Sequence, residues 1–217
     1  MFTGIVQELG TVLGVKRAQG LVRVQILAPK TAAKLSAGES VAVNGVCLSV
    51  VRLQQGVLSF EAIPQTLRLT NLSTLSAGAR VNLETSLSLS DRLNGHLVLG
   101  HVDGTGRVVR RAVTAGETVL GIRIEPRLRR YLVPKGSIAV DGVSLTVGPD
   151  VTPTTFLVFL IPETLHQTTL GARRLGALVN IEVDYVAKLI VNFASRNSLA
   201  QLLRGVTRRN RHAALDW

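Results

Sequence analysis

The chain has 217 residues, of which 46% are hydrophobic and 18% are charged, and its formal net charge is +11 at pH 7. This length fits one medium domain or two small ones, and the composition is too apolar and too weakly charged for a disordered chain. A nucleic-acid-binding function is disfavoured, because aromatic residues that could stack on bases make up only 4% of the chain. The single cysteine excludes an internal disulfide and a metal site built from several thiolates.

The opening residues Met1–Gly4 lack the basic and apolar regions of a targeting signal. The longest unbroken apolar run, Phe156–Ile161, is far shorter than the ~18 residues of a membrane span. We therefore expect a cytoplasmic protein with no membrane partner. The arginine clusters at 127–130 and 204–211 are interpreted as solvated surface, and no nucleic-acid partner is expected.

Alternation of apolar and polar residues predicts β-strands through most of the chain, as at Val22, Val24 and Ile26. Asn44-Gly45 and Asp141-Gly142 each separate two such runs. Both dipeptides tolerate the positive φ angles of a type I′ turn, so each should connect an antiparallel hairpin.

The two hairpins are copies of one another. Ser40–Val50 and Ser137–Val147, 97 residues apart, share seven identities in eleven positions. Three further blocks repeat in the same order: Gly4–Val6 with Gly100–Val102, Ile63–Leu67 with Ile161–Leu165, and Val81–Glu84 with Val179–Glu182. The pattern indicates a tandem duplication, in a unit too long for a solenoid repeat.

Each half contains about six short strands, and a unit this small protects its sheet edges best by closing. The predicted fold is therefore mainly β, with two tandem, homologous, six-stranded antiparallel Greek-key barrels. The predicted domains are residues 1–95 and 96–185, followed by a helix and basic tail over 186–217. The helix is predicted to end near Arg204, and its apolar stripe consists of Val186, Leu189, Ile190, Phe193, Asn197, Ala200 and Leu203. The pattern does not decide whether this stripe packs on its own chain or on a second copy.

The candidate chemical groups are sparse. The four histidines, His96, His101, His166 and His212, show no zinc-binding spacing, and we expect no metal site. The repeats differ where Cys47, Ser49 and Ile5 of the first half correspond to Ser144, Thr146 and His101 of the second. Thiol, hydroxyl and imidazole groups suit nucleophilic attack or proton transfer, although such residues in a strand are more often structural.

Long ordered motifs carry a family resemblance over both halves, as far as Asp184. They are Met1–Gln7, Ser40–Leu48, Gly95–Val102, Lys135-Gly136, Asp141–Val147, Ile161–Leu165 and Thr168–Gly171. On these motifs the chain resembles the riboflavin synthases of the alpha-chain type, a lumazine-binding family with duplicated barrels. The resemblance implies a cofactor-free transferase that converts two molecules of 6,7-dimethyl-8-ribityllumazine into riboflavin and 5-amino-6-ribitylaminouracil.

The resemblance also implies an assembly. It predicts a homotrimer joined by the C-terminal helices, two lumazines in each site between the N-terminal barrel of one subunit and the C-terminal barrel of the next, and association with lumazine synthase. The alternative within the family is an antenna protein that binds lumazine or flavin without catalysis. Such relatives have degraded catalytic positions and lack the helix.

By the same resemblance, the catalytic candidates are Ser40, Cys47, His101, Ser144, Thr146 and Asp184. Thr3, Ser40 and Cys47 are expected to line the N-terminal pocket, whereas His101 and Thr146 would move the proton of the C7 methyl group. One pteridine is expected to contact Gly4, Ile5, Val6, Cys47, Leu48, Ser49, Glu61, Ala62, Ile63, Pro64, Gln65 and Thr66. The other is expected to contact Gly100, His101, Val102, Lys135, Ser144, Leu145, Thr146, Leu160, Ile161, Pro162, Glu163, Thr164 and Leu165.

Three positions depart from the family pattern: Val46 for a common cysteine, Ser49 for a threonine, and Gln65 for a glutamate. Two further polar residues keep an ordinary explanation. Asp141 can be explained equally well as a turn residue or as a ligand. His96 can be explained as a residue that only orients the interdomain loop.

Overall fold

The computed structural model describes residues 1–18, 20–114 and 117–196, which form two closed six-stranded barrels. The first consists of β1 (Glu8–Ala18), β2 (Leu21–Leu27), β3 (Ser40–Val43), β4 (Val46–Gln54), β5 (Val57–Ala62) and β6 (Arg80–Thr85). The second consists of β7 (Gly104–Thr114), β8 (Glu117–Arg123), β9 (Ser137–Val140), β10 (Val143–Val151), β11 (Thr155–Leu160) and β12 (Leu178–Val183). The predicted pair of barrels is confirmed.

Both barrels have the same strand order. Around the first barrel the order is β1-β2-β5-β4-β3-β6, and the second repeats it from β7 to β12. In each barrel three hairpin-connected strands are followed by a fourth that returns beside the first of them, which is a Greek key. Asn44, Gly45, Asp141 and Gly142 all have φ between 46° and 77°, so the two predicted type I′ turns are confirmed.

Short helices fill the gaps in each repeat. They are α1 (Pro29–Ala32), α2 (Pro64–Leu69), α3 (Pro162–Gln167), and the 3-10 helices Asn71–Thr74, Pro126–Tyr131 and Thr169–Ala172. α2 and α3 each begin with proline, whose fixed φ suits a first helical position and whose missing N–H is not needed there. Among the described helices, none has the length and apolar character needed to cross a membrane.

Each barrel has its own apolar core, and a third cluster lies between them. The cores contain inward-facing residues such as Ile26, Leu58 and Phe60 in the first barrel. The third cluster consists of Phe2, Ala42, Val98 and Ala139 with Cys47 packed against it. Because Phe2 and Val98 also exchange two backbone hydrogen bonds, of 2.7 and 3.0 Å, the segments that precede the two barrels are joined to each other.

A buried polar network also joins the barrels. Asp141 accepts hydrogen bonds from Asn71 Nδ2 at 2.8 Å and from the Asn180 N–H at 2.8 Å. Its other oxygen accepts from Arg173 at 2.6 and 3.0 Å. The side chain of Asp141 has no exposed area, so these partners offset the cost of burying its charge. Asp141 is therefore both a turn residue and the centre of the interface between the barrels.

Helix α4 (Tyr185–Arg196) follows the second barrel and contacts the 3-10 helix Pro126–Tyr131. Its stripe residues Val186, Leu189, Ile190 and Phe193 are between 51% and 63% exposed. The described part of the predicted stripe is therefore not buried against its own barrels. The remaining predicted residues, Asn197, Ala200 and Leu203, lie outside the described part of the chain.

Candidate functional site

The segment before the first barrel is held by Glu84 at the end of β6. One oxygen of the Glu84 carboxylate accepts from the Thr3 N–H at 2.6 Å and from the Thr3 hydroxyl at 2.7 Å, and the other accepts from the Gly4 N–H at 3.0 Å. Burial raises the pKa of Glu84, and these donors oppose the rise. The carboxylate therefore binds two consecutive backbone N–H groups in a buried setting.

Glu182 of β12 does the same for the segment before the second barrel. Its carboxylate accepts from the Leu99 N–H at 2.8 Å and from the Gly100 N–H at 3.0 Å. Burial raises the pKa of Glu182 too, against the effects of the Leu99 N–H and of the Lys188 ammonium. The two repeats thus place equivalent glutamates under equivalent segments.

Each segment then crosses to the other barrel. The Gly4 carbonyl accepts from the Ser144 N–H of β10 at 2.7 Å, and the Gly100 carbonyl accepts from the Cys47 N–H of β4 at 2.9 Å. Both glycines have φ of 78°, and a Cβ at either would lie 2.6 Å from the Cβ of its partner residue. Glycine is therefore required at both crossings, by backbone conformation and by space.

The first candidate pocket is a cavity of about 240 Å³ at the crossing of Gly100. It is lined by Val46, Cys47, Ile63, Gln65, Thr66, Leu69, Thr70, Gly100, His101 and Val102. Val102 also packs against the core of the first barrel. The cavity combines apolar walls with a thiol, an amide, hydroxyl groups and an imidazole, which is the composition of a site that binds and orients a small molecule.

The second candidate pocket is the equivalent place on the second barrel, at the crossing of Gly4. Ser144 corresponds to Cys47 there, and α3 corresponds to α2. Val6 and Leu165 pack against the core of the second barrel. The imidazole of His96 also reaches this place, with its Nδ1 atom 2.7 Å from the hydroxyl oxygen of Ser144.

This geometry corrects one sequence-based grouping. Gly4–Val6 were predicted beside Cys47 and Gly100–Val102 beside Ser144, and both assignments are wrong. The structure places Gly100–Val102 at Cys47 and Gly4–Val6 at Ser144. The physical reason is the exchange of segments, because each one is fixed by its glutamate where it reaches the opposite barrel.

Thr3 and Ser40 also lie apart from the first pocket. Thr3 lines a different cavity, of about 380 Å³, together with Ile5, Glu84 and linker residues. Ser40 pairs with Ser49 across β3 and β4, two residues further along from the Ala42–Cys47 pair. The larger cavity lacks the thiol and imidazole, so we take the smaller one as the site.

The other predicted binding residues fall into three groups. Leu48, Ala62, Leu145 and Leu160 are buried in the barrel cores. Glu61 pairs with Arg23, and Lys135 is exposed with a φ of 64°. The exposed or half-buried residues at and near the two short helices and β10 are Pro64, Thr146, Ile161, Pro162, Glu163 and Thr164.

His96 was interpreted from the sequence only as an orienting residue. Burial lowers its pKa, and the nearby charge of Asp184 opposes this shift. Asp184 is close to the start of α4, where its carboxylate accepts from the Val186 N–H at 2.9 Å. His96 lies outside both repeats, so comparison of the two halves could not single it out; its position in the Gly95–Val102 motif was the available signal.

Among the described residues, no group of three or more histidine, cysteine, aspartate or glutamate side chains is arranged to hold a metal ion. The site instead presents hydroxyl, thiol and imidazole groups on a rigid pair of barrels. Such groups can donate, accept or move protons and can add to electrophilic carbon.

Comparison with known proteins agrees with the duplication. Residues 3–86 and 99–184 each match the sequence model of the lumazine binding domain. Two bacterial proteins illustrate the relatives. The riboflavin synthase of Mycobacterium tuberculosis is 45% identical over 194 residues, which are 88% of this chain and 96% of that protein. The riboflavin synthase of Escherichia coli is 40% identical over 198 residues, which are 90% and 92% of the two chains.

Solved structures show the same architecture. LumP complexed with riboflavin matches with a TM-score of 0.78 and 26% identity, over 84% of this chain and 99% of that chain. LumP complexed with 6,7-dimethyl-8-(1'-D-ribityl) lumazine matches with a TM-score of 0.76 over the same shares. With both repeats matched and several relatives above 35% identity over most of their length, the chain belongs to the riboflavin synthase family of duplicated lumazine-binding proteins.

Proposed function

We propose that the chain catalyses the dismutation of two molecules of 6,7-dimethyl-8-ribityllumazine. A four-carbon unit passes from one to the other, which gives riboflavin and 5-amino-6-ribitylaminouracil. The observation that carries the proposal is the pair of equivalent segment crossings at Cys47 and Ser144, the first of which lines a cavity, in a chain whose curated relatives are riboflavin synthases. A reaction between two identical molecules needs two similar pockets, and holding both can remove up to about 7–11 kcal/mol of the barrier.

In the first pocket, His101 and Cys47 both line the cavity at the Gly100 crossing. We assign to His101, with Thr146 of a facing second pocket, the removal of the proton from the C7 methyl group. The carbanion formed is the carbon nucleophile that attacks the other lumazine. We assign Cys47 to contact with the lumazine of the first pocket, the one that loses this proton, so that the lumazine under attack lies in the second pocket.

In the second pocket, the Ser144 hydroxyl is a candidate to open the ring of its lumazine. A neutral imidazole beside it can accept the hydroxyl proton, and the 2.7 Å contact with His96 has the required length. Asp184 is suited to bind ribityl hydroxyl groups or to stabilise a protonated His96. A water molecule held by the same groups would serve equally as the attacking group.

The two pockets need to face each other, and association of chains through the exposed stripe of α4 would bring them together. We propose that the α4 stripe joins three chains, so that the first pocket of one subunit faces the second pocket of the next. Four large apolar side chains exposed together on one helix are typical of an association surface.

The test is a cofactor-free assay. Purified protein is incubated with 6,7-dimethyl-8-ribityllumazine alone, and riboflavin is followed by its absorbance while remaining lumazine is measured by chromatography. We expect one riboflavin for every two lumazines consumed. Binding of lumazine without any riboflavin would contradict the proposal and would favour the antenna function, for which the likeness to ligand-bound LumP is the supporting observation.

A further inference from the structure

Glu84 and Glu182 are buried carboxylates whose contacts are mainly to backbone rather than to a salt-bridging side chain. Glu182 is carried by the second barrel, yet its two oxygens hold Leu99 and Gly100, the residues that lead into the wall of the first pocket. Glu84 is carried by the first barrel and holds Thr3 and Gly4, which lead into the second pocket.

The path from Glu182 to the first pocket is short and continuous. The carboxylate fixes the Gly100 N–H, and the carbonyl of the same residue accepts from the Cys47 N–H at 2.9 Å. The next two residues, His101 and Val102, line the pocket. A displacement of Gly100 would therefore move His101 relative to Cys47.

A carboxylate suits this task because it offers two acceptor oxygens to two N–H groups that converge on it. An amide of the same shape offers one acceptor and one N–H₂ donor, so one backbone N–H would face another donor. The charged neighbours of Glu182 are Lys188 and Asp103, which pair with each other at 2.8 Å. Because Lys188 and Asp103 pair with each other, the hydrogen-bonding contacts of the Glu182 carboxylate remain those to the Leu99 and Gly100 N–H groups.

We propose that Glu182 and Glu84 are crossed positioning residues: each carboxylate, carried by one barrel, sets the wall of the substrate pocket on the other barrel. The identity of the ligand rests on the proposed function, whereas the crossed arrangement does not. The alternative is a purely local role, in which each glutamate supports only its own barrel.

The single cysteine provides a reporter for the first pocket. Protein labelled with nitrogen-15 at cysteine alone gives one amide resonance, and that amide donates to the Gly100 carbonyl. In the ligand-free protein we expect Glu182→Gln to move the Cys47 amide proton upfield, because its hydrogen bond weakens. The matched variant Glu84→Gln, at the equivalent position, should leave this resonance where it is in the wild type.

A titration with 6,7-dimethyl-8-ribityllumazine gives the second readout. The concentration that half-saturates the shift of the Cys47 resonance should rise about tenfold in Glu182→Gln, which corresponds to about 1.4 kcal/mol of binding free energy, and stay unchanged in Glu84→Gln. Both variants should lose turnover. Glu182→Asp keeps the charge on a shorter side chain and provides the same comparison if the amide variant does not fold.

The proposal is overturned if Glu84→Gln moves the Cys47 resonance as far as Glu182→Gln does, or if Glu182→Gln and Glu182→Asp both leave it in place. Failure of the proposed function looks different. In that case the ligand-free shifts would follow the crossed pattern, but the wild type would form no riboflavin, whether or not lumazine perturbs the Cys47 resonance.

Discussion

His96 illustrates how burial prepares a single residue for chemistry. The imidazole loses hydration where it lies against Ser144, and this lowers its pKa although Asp184 is near. A lowered pKa keeps the ring neutral near physiological pH, so that one nitrogen is free to accept a proton. The same burial makes the protonation of His96 unfavourable for folding.

We therefore predict a stability change that depends on His96. The pKa of His96 is 6.5 in the unfolded chain and lower in the folded protein. At a pH between the folded-state pKa and 6.5, the unfolded chain therefore binds the proton more readily. The contribution of neutral His96 to the free energy of unfolding should be complete above pH 6.5 and should be lost as the pH falls towards the folded-state pKa. Urea unfolding of the wild type and of His96→Gln, from pH 6.5 to about pH 5, should show a shallower loss for the variant. Equal slopes would contradict it.

Hairpins and short helices are the scale at which the sequence was most informative. The dipeptides Asn44-Gly45 and Asp141-Gly142 predicted their turns because few residues tolerate two successive positive φ angles. Asp141 has a second role that no local pattern reveals. Its partners Arg173 and Asn180 come from the same barrel, 32 and 39 residues away in the chain, and Asn71 comes from the first barrel, 70 residues away, so the full set meets only once both barrels have formed.

Asp141→Asn should accordingly weaken the joint between the barrels. The substitution preserves the turn, since Asn44 occupies the same place in the first hairpin, but it leaves the Arg173 guanidinium without its carboxylate. We expect a loss of about 3 kcal/mol in the free energy of unfolding, measured with urea. The neighbouring exposed Arg174→Gln should change it by less than about 0.5 kcal/mol. A loss for both variants alike would argue against a specific pair.

Helix α4 gives a second prediction at this scale. Ile190→Asp places a charge in the middle of the exposed stripe, and it should dissociate the proposed trimer, as measured by light scattering. Asn192→Asp introduces the same charge outside the stripe, on the same helix, and should leave the molar mass unchanged. Each barrel should still melt as the wild type does at high dilution, because the stripe residues are exposed on the single chain.

At the scale of the whole molecule, the duplication was visible in the sequence but the exchange of segments was not. The offset that aligns Gly4 with Gly100 says which residues are equivalent, not which barrel each one touches. That choice is made by Glu84 and Glu182, about 80 residues distant from the segments they hold. The sequence therefore predicted several of the residues that line the first pocket, but it assigned to that pocket the segment that crosses to the second barrel.

The proposed assembly makes a quantitative prediction about mixtures. Thr66→Trp should fill the first pocket and Thr164→Trp the second, so that each protein alone is inactive. If each site joins the first pocket of one subunit to the second pocket of the next, co-refolding equal amounts should restore activity at about a quarter of all sites. A mixture as inactive as its components would place both reacting pockets within one chain. Wild type diluted with Thr66→Trp is the control for random mixing.

The turns at Gly45 and Gly142 meet back to back, with a Cβ on either glycine falling 2.6 Å from the backbone nitrogen of the other. They stand on the pseudo-dyad of the molecule, where each half touches its own counterpart. Contacts of this kind are self-complementary, as in a dimer of identical chains. Both turns therefore need glycine at this contact, whereas the two pockets have diverged. The arrangement is the one expected if two identical single-barrel chains once formed a dimer through this contact and were later joined into one chain.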